Sequence, residues 1–150
     1  MQYDVQVEDR DGIPIASVRK EINQSGIGAW VSEAAMVIFP TLGAAGLRPI
    51  GPMHCRYHTW ADNRTDCKVG IPISGSAPAG LTDSEIPAGR SASTVHIGPH
   101  ETIPAAYEAL PSWMENAGVA PGPGPYEVYL TDRATTSPDQ LRTEVVWPLG

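Results

Sequence analysis

Gly122-Pro123-Gly124-Pro125-Tyr126-Glu127-Val128-Tyr129-Leu130 is a Gly/Pro turn that runs into a short strand. The turn residues cannot continue a helix, and the β-branched and aromatic residues after them favour extended backbone. Alternate side chains of a strand share a face. Glu127 and Tyr129 therefore point one way, and Tyr126, Val128 and Leu130 the other. An acid among aromatic rings marks either a solvated face or a pocket in which desolvation raises its proton affinity.

Working outward from this strand, a helical stretch precedes it, from about Thr102 to Asn116. Pro104 sits early, where proline is tolerated, and Pro111 sits deeper, where it should bend the helix. Ahead of the helix come Leu81 to Ile86, a Pro87-Ala88-Gly89 turn and Arg90 to Ile97. After the Glu127 strand comes a last strand, Leu141 to Trp147.

The first half carries the same order. Val5 to Glu8 and Ile13 to Val18 read as strands around an Asp11-Gly12 turn. Ile27 to Ala44 reads as a helix stopped by Gly46, with Pro40 expected to kink or shorten it. Met53 to Trp60 and Lys68 to Ser74 read as strands joined by a polar loop, Ala61 to Asp66.

The two halves match residue by residue. Ala16-Ser17-Val18 and Ala92-Ser93-Thr94 are 76 residues apart, as are Ile27 and Ile103. Ala45-Gly46-Leu47-Arg48-Pro49 matches Ala117-Gly118-Val119-Ala120-Pro121 at 72, and Tyr57 falls on Tyr129 at that spacing. Lys68-Val69-Gly70-Ile71-Pro72-Ile73 matches Glu144-Val145-Val146-Trp147-Pro148-Leu149 at 76 again. The first copy thus has four extra residues in its middle, about one helical turn.

The reading is an α+β fold in a single domain, 1–150. Two tandem βαββ-type repeats, 1–74 and 81–150, flank a small-residue linker from Ser74 to Gly80. Their pairing is expected to give one curved antiparallel sheet of about eight strands. Two helices cover one face, a pseudo-two-fold axis relates the halves, and a central pocket lies between the repeats.

Composition narrows the function. The formal charge is −7, from 17 acidic and 10 basic residues, with no basic run. That argues against nucleic acid as a partner. No apolar run approaches the ~20 residues of a membrane span, and the polar start lacks a signal peptide's pattern. A cytoplasmic location without membrane attachment is expected. Cys55 and Cys67 are too few for a disulfide framework. Together with His54 and His58 their spacing fits no closed zinc site, so neither metal nor cofactor is expected.

Three stretches in order carry a resemblance: His96-Ile97-Gly98-Pro99-His100-Glu101, then Ala106-Tyr107-Glu108-Ala109-Leu110-Pro111-Ser112-Trp113, then Gly124 to Leu130. With Gly51-Pro52-Met53-His54-Cys55-Arg56-Tyr57-His58 in the first copy, they resemble the GyrI-like small-molecule-binding family, also called the AraC-type effector-binding domain. The resemblance implies paired βαββ modules around a hydrophobic pocket for lipophilic, often cationic, compounds. It implies a glutamate at the position of Glu127 at the pocket base. Many members are drug-sensing regulators fused to a helix-turn-helix. Here the repeat begins within the first few residues, so no such segment is expected. Other members are single domains, some of which inhibit gyrase or hydrolyse strained electrophiles such as cyclopropanoid toxins. Cys55 stands where the second copy has Glu127, so an asymmetric pocket is expected.

The candidate residues follow. Glu127 is the carboxylate that pairs with a ligand cation or acts as general base on water. Tyr129 and Tyr57 are equivalent in the two copies and can stack on a ligand or donate a proton; as strand residues they can equally pack across the sheet. Trp147, where the first copy has Ile71, can line the cleft, and Trp60 its rim. Cys55 and Tyr107 complete the ligand-binding set. Trp113 fits a core position, and His96 and His100 read as structural or exposed. The expectation is a stand-alone binder of a lipophilic, cationic or electrophilic compound. The alternatives are a hydrolase of strained electrophiles, with Glu127 activating water and a tyrosine as acid, and an inhibitor acting on a partner protein.

Overall fold

The computed structural model describes residues 3–132 and 134–150. Each half of the chain reads strand-strand-helix-strand-strand. The first has β1 (Gln6–Arg10), β2 (Ile13–Asn23), α1 (Ile27–Ala44), β3 (His54–Ala61) and β4 (Arg64–Pro72). The second has β5 (Thr82–Ile86), β6 (Gly89–Ile97), α2 (Pro104–Ala117), β7 (Tyr126–Tyr129) and β8 (Arg142–Pro148). The strand pairings within each half of the strand order, β1-β6-β8-β7 and β3-β4-β2-β5, are antiparallel. The helices have 18 and 14 residues, so the four extra residues of the first copy are a turn of α1.

The chain forms two compact units that do not coincide with the two copies. The first unit is made of the residues up to Asp11 together with Gly89–Gly150, and the second of Gly12–Ala88. Within the first, strands run β1-β6-β8-β7; within the second, β3-β4-β2-β5. The expected pairing of strands around Asp11-Gly12 does not form. β1 pairs with β6, and β2 pairs with β4 and β5. Each copy lends its first strand to the unit built by the other.

The registers of the two units nonetheless repeat each other. Ala16 lies opposite Ile71 and Asp83, and Ala92 lies opposite Trp147 and Val7. Cys55 opposes Val69 and Tyr57 opposes Cys67, as Glu127 opposes Val145 and Tyr129 opposes Thr143. These pairs keep the spacings of 76 and 72 read from the sequence.

In the first unit Ile103, Ala106, Leu110 and Met114 form one buried stripe on Ala92 and Val145. Their spacing of three and four is that of a single helix face. Pro104 opens α2, and Gly118 closes it at φ 72°, a left-handed cap that glycine adopts without a Cβ clash. In the second unit α1 buries Val31, Ala34, Ile38 and Leu42 and packs on β2 and β4.

Neither interior proline ends its helix. Pro40 removes the hydrogen bond to the Met36 carbonyl, but Met36 is 77% exposed, so water can serve it. The Thr41 hydroxyl donates to the Val37 carbonyl at 2.6 Å in the same turn. Contrary to the sequence reading, the helical stretch Gln24–Ala44 is long and apolar enough to cross a membrane by length and composition alone. The expected Ala61–Asp66 loop is shorter than read. β3 and β4 continue to a two-residue turn in which Asp62 and Asn63 take φ of 54° and 61°. Both angles are those of a tight hairpin turn that Asn and Asp tolerate.

Candidate functional site

The face on which Glu127 lies follows from register. Glu127 and Tyr129 stand opposite Val145 and Thr143 of β8. Val145 belongs to the cluster beneath α2, so both side chains are on the helix-covered face of the first unit. Tyr126 and Val128 oppose Val146 and Glu144 on the other face.

Glu127 is buried, at 6% exposure. Both of its oxygens accept a phenol proton. The Tyr107 hydroxyl, from α2, donates to Oε2 at 2.8 Å, and the Tyr129 hydroxyl donates to Oε1 at 3.0 Å. A carboxylate retains further lone pairs after two such bonds. Helix and strand thus hold it from two sides, and rings enclose it. Trp147 meets Tyr107 edge-on with centroids 6.0 Å apart. His100 lies 5.6 Å from the Tyr129 ring, tilted.

The Gly/Pro turn positions this wall. Trp147 donates its indole N–H to the Gly122 carbonyl at 3.0 Å, and the Gly122 N–H donates to Pro148 at 2.7 Å. A Cβ at Gly122 would stand 3.0 Å from the Pro148 carbonyl oxygen, so only glycine permits this approach without a shift.

The structure therefore brings Glu127, Tyr129, Tyr107 and Trp147 together, and adds His100, which the sequence reading set aside. The position of His100 at the entry to α2 was readable, but its contact with Tyr129 depends on how that turn folds back. Trp113 packs against the α2 core, as expected. His96 is buried and structural. Thr102 donates its hydroxyl to the Pro99 carbonyl at 2.7 Å and accepts from His96 Nε2 at 2.7 Å, leaving Nδ1 to accept the Tyr3 hydroxyl at 2.7 Å. Burial holds the His96 pKa below the usual imidazole value.

Tyr57, Trp60 and Cys55 belong to the second unit. Tyr57 is buried and meets Trp60 edge-on at 5.6 Å, and Trp60 is 59% exposed near the end of β3. Cys55 and Cys67 are buried and not joined by a disulfide, with sulfurs 3.1 Å apart. Among the described residues no three His, Cys, Asp or Glu side chains converge on a metal position. A surface concavity of this unit is lined by Pro40, Thr41, Ala44, Ala45, Pro78 and Ala79, none of them titratable.

Comparison with known proteins matches this arrangement to a family. The C-terminal domain of EcmrR superposes with a TM-score of 0.79 at 20% identity, covering 100% of this chain and 99% of that one. A chain of an EcmrR–DNA complex matches with a TM-score of 0.78 at 19% identity, and 57% of that longer chain is covered. SAV2435 bound to tetraphenylphosphonium gives 0.72 at 12% identity, covering 100% of this chain and 94% of that one. A hydrolase from Listeria innocua gives 0.66 at 11% identity, with 97% and 91% covered. These likenesses are to the fold. No curated protein matches the sequence. The model of the GyrI-like small molecule binding domain matches residues 3–149, and the chain belongs to that family.

Proposed function

We propose that the chain binds a lipophilic cation on the helix-covered face of its first unit, with Glu127 as the counter-charge. The observation that carries this reading is the buried carboxylate held between Tyr107 and Tyr129 and bordered by Trp147 and His100. A carboxylate in low-dielectric surroundings attracts a cation far more strongly than one in water. Aromatic faces add cation–π attraction and admit flat apolar groups. Membership in a small-molecule-binding family and the bound tetraphenylphosphonium of SAV2435 support the ligand class. Calorimetric titration of the protein with tetraphenylphosphonium tests it. Glu127→Gln is expected to weaken binding at least tenfold, about 1.4 kcal/mol, with the fold retained. An unchanged dissociation constant would overturn the assignment of Glu127.

A second reading is favoured by the phenols that face the same carboxylate and by the fold of the Listeria hydrolase. Glu127 takes a proton from water, and the hydroxide oxygen bonds to a carbon of a strained ring. The ring bond breaks, and the Tyr129 phenol supplies the proton to the departing atom. Mass spectrometry of an activated cyclopropane incubated with the protein separates the two readings. Repeated addition of one water per molecule, reduced ~10²–10⁴-fold in Glu127→Gln, means hydrolysis. Retention of unchanged compound means binding.

A further inference from the structure

Among the described residues, four buried side-chain polar atoms have no hydrogen-bond partner: Arg10 Nε, His58 Nε2, Ser91 Oγ and Thr143 Oγ1. Three of them lie away from the Glu127 site. His58 belongs to the second unit. Arg10 and Ser91 alternate with Val7 and Ala92, which pack under α2, so they face the other side of the sheet. Thr143 is two residues from Val145 on β8, so its side chain stands on the helix-covered face that carries Glu127. It is buried, at 1% exposure.

The neighbours of Thr143 have their own partners. It lies between His96 on β6 and Tyr129 on β7. His96 has both ring nitrogens engaged, by Tyr3 and Thr102, and Tyr129 gives its proton to Glu127. The repeat shows how near position 143 is to position 127. Cys67 and Cys55 hold the matching places in the second unit, in the same register, and their sulfurs are 3.1 Å apart. The Thr143 side chain therefore lies beside the stem of Glu127. Cys67 at the matching place also shows that the fold does not need a hydroxyl there. A buried hydroxyl without a partner costs stability, and valine would fill the same volume without that cost.

We propose that Thr143 is a ligand-binding residue of the Glu127 site, and that it fits the site to lipophilic ammonium ions bearing at least two N–H bonds. The inference deepens the reading of Glu127 as counter-charge and rests on it. One N–H donates to the carboxylate and a second to Thr143 Oγ1, while the aromatic wall takes the apolar part of the ion. A quaternary ion of the same charge meets the carboxylate but leaves the hydroxyl unpaired. A buried polar group that one ligand satisfies and another does not is a strong discriminator.

The test is calorimetric titration of the full chain with 4-phenylbenzylammonium and with its N,N,N-trimethyl derivative, which share charge and rings. Thr143→Val and Thr143→Ala, which lack the hydroxyl, should each weaken binding of the first about tenfold and leave the second unchanged. Thr143→Ser, which keeps it, should bind both as the wild-type protein does. The urea midpoint of Thr143→Val should rise, because no unpaired hydroxyl remains; a hydroxyl that served only the fold would make it drop. An equal effect on both cations, no effect on the first, or a lower midpoint overturns the proposal. If the trimethyl ion binds through Glu127 while the primary ammonium fails to bind or ignores the loss of the hydroxyl, this proposal alone falls. If neither ion binds, the Glu127 reading falls with it.

Discussion

Glu127 and His58 are both ionisable groups on strands, and their surroundings differ in kind. Glu127 has hydroxyl donors on both oxygens, one from α2 and one from its own strand. His58 has burial and three cations against it. The sign of its effect on stability follows. The unfolded chain takes up the His58 proton near pH 6.5, whereas the folded chain does so only near 4. Between these values the unfolded state binds more protons, so stability falls as pH falls through this window and is fully present above it. Solvent screening reduces the effect to about 1–2 kcal/mol. Urea unfolding from pH 7 to 4 should show this loss, and His58→Gln should flatten it. A residual slope of the same sign is expected from His96, whose pKa burial also lowers. At this scale Glu127 and Tyr129 were legible because a strand's period fixes faces. His58 was not, because its neighbours come from β2 and β4, which pairing alone brings near.

At the scale of elements, α2 joins the core to the site. Its buried stripe fixes the helix on the sheet, and Tyr107, off that stripe, reaches Glu127. Leu110 is fully buried at the centre of the stripe. Leu110→Ala should cost about 2–5 kcal/mol, read from the shift of the urea midpoint. A cavity there also loosens the helix that carries Tyr107, so ligand affinity should fall with stability. The first helix was legible with Gly46 as its stop signal, and the second from about Thr102 to Asn116 with Pro104 at its start; the left-handed cap at Gly118 was not read. Neither interior proline ends its helix, and at Pro40 the carbonyl left without a helical partner belongs to exposed Met36. The Asp62-Asn63 turn was read as a longer loop. Polar residues such as Arg64 and Asp66 look like loop, yet they extend a strand with one face in water.

Over the whole molecule the two copies were legible, but the strand exchange was not. Nothing in Val5 to Glu8 or Leu81 to Ile86 states which copy each will join, since both offer short antiparallel strands. Register is decided by partners far away in sequence, such as Val7 opposite Ala92. A prediction belongs to this scale. The fragment 12–88 contains every strand of the second unit, whereas 1–74 lacks β5 and carries β1 without its partner. Circular dichroism should show 12–88 melting cooperatively, and at a higher temperature than 1–74. Equal melting of the two would mean that the exchange contributes nothing to the unit.

The exchange also imposes an order in time. On the ribosome the second unit is one continuous run of chain and can close as soon as Ala88 has emerged. β1, by contrast, must wait for β6, whose synthesis ends at Ile97. At roughly 5–20 residues per second that delay is on the order of several seconds. A strand held open for so long invites the wrong neighbours. The composition of β1 suits the wait: Gln6-Val7-Glu8-Asp9-Arg10 has one apolar residue and three charged ones. β1 is thus made well before it can be placed, and its charges keep it apart until then.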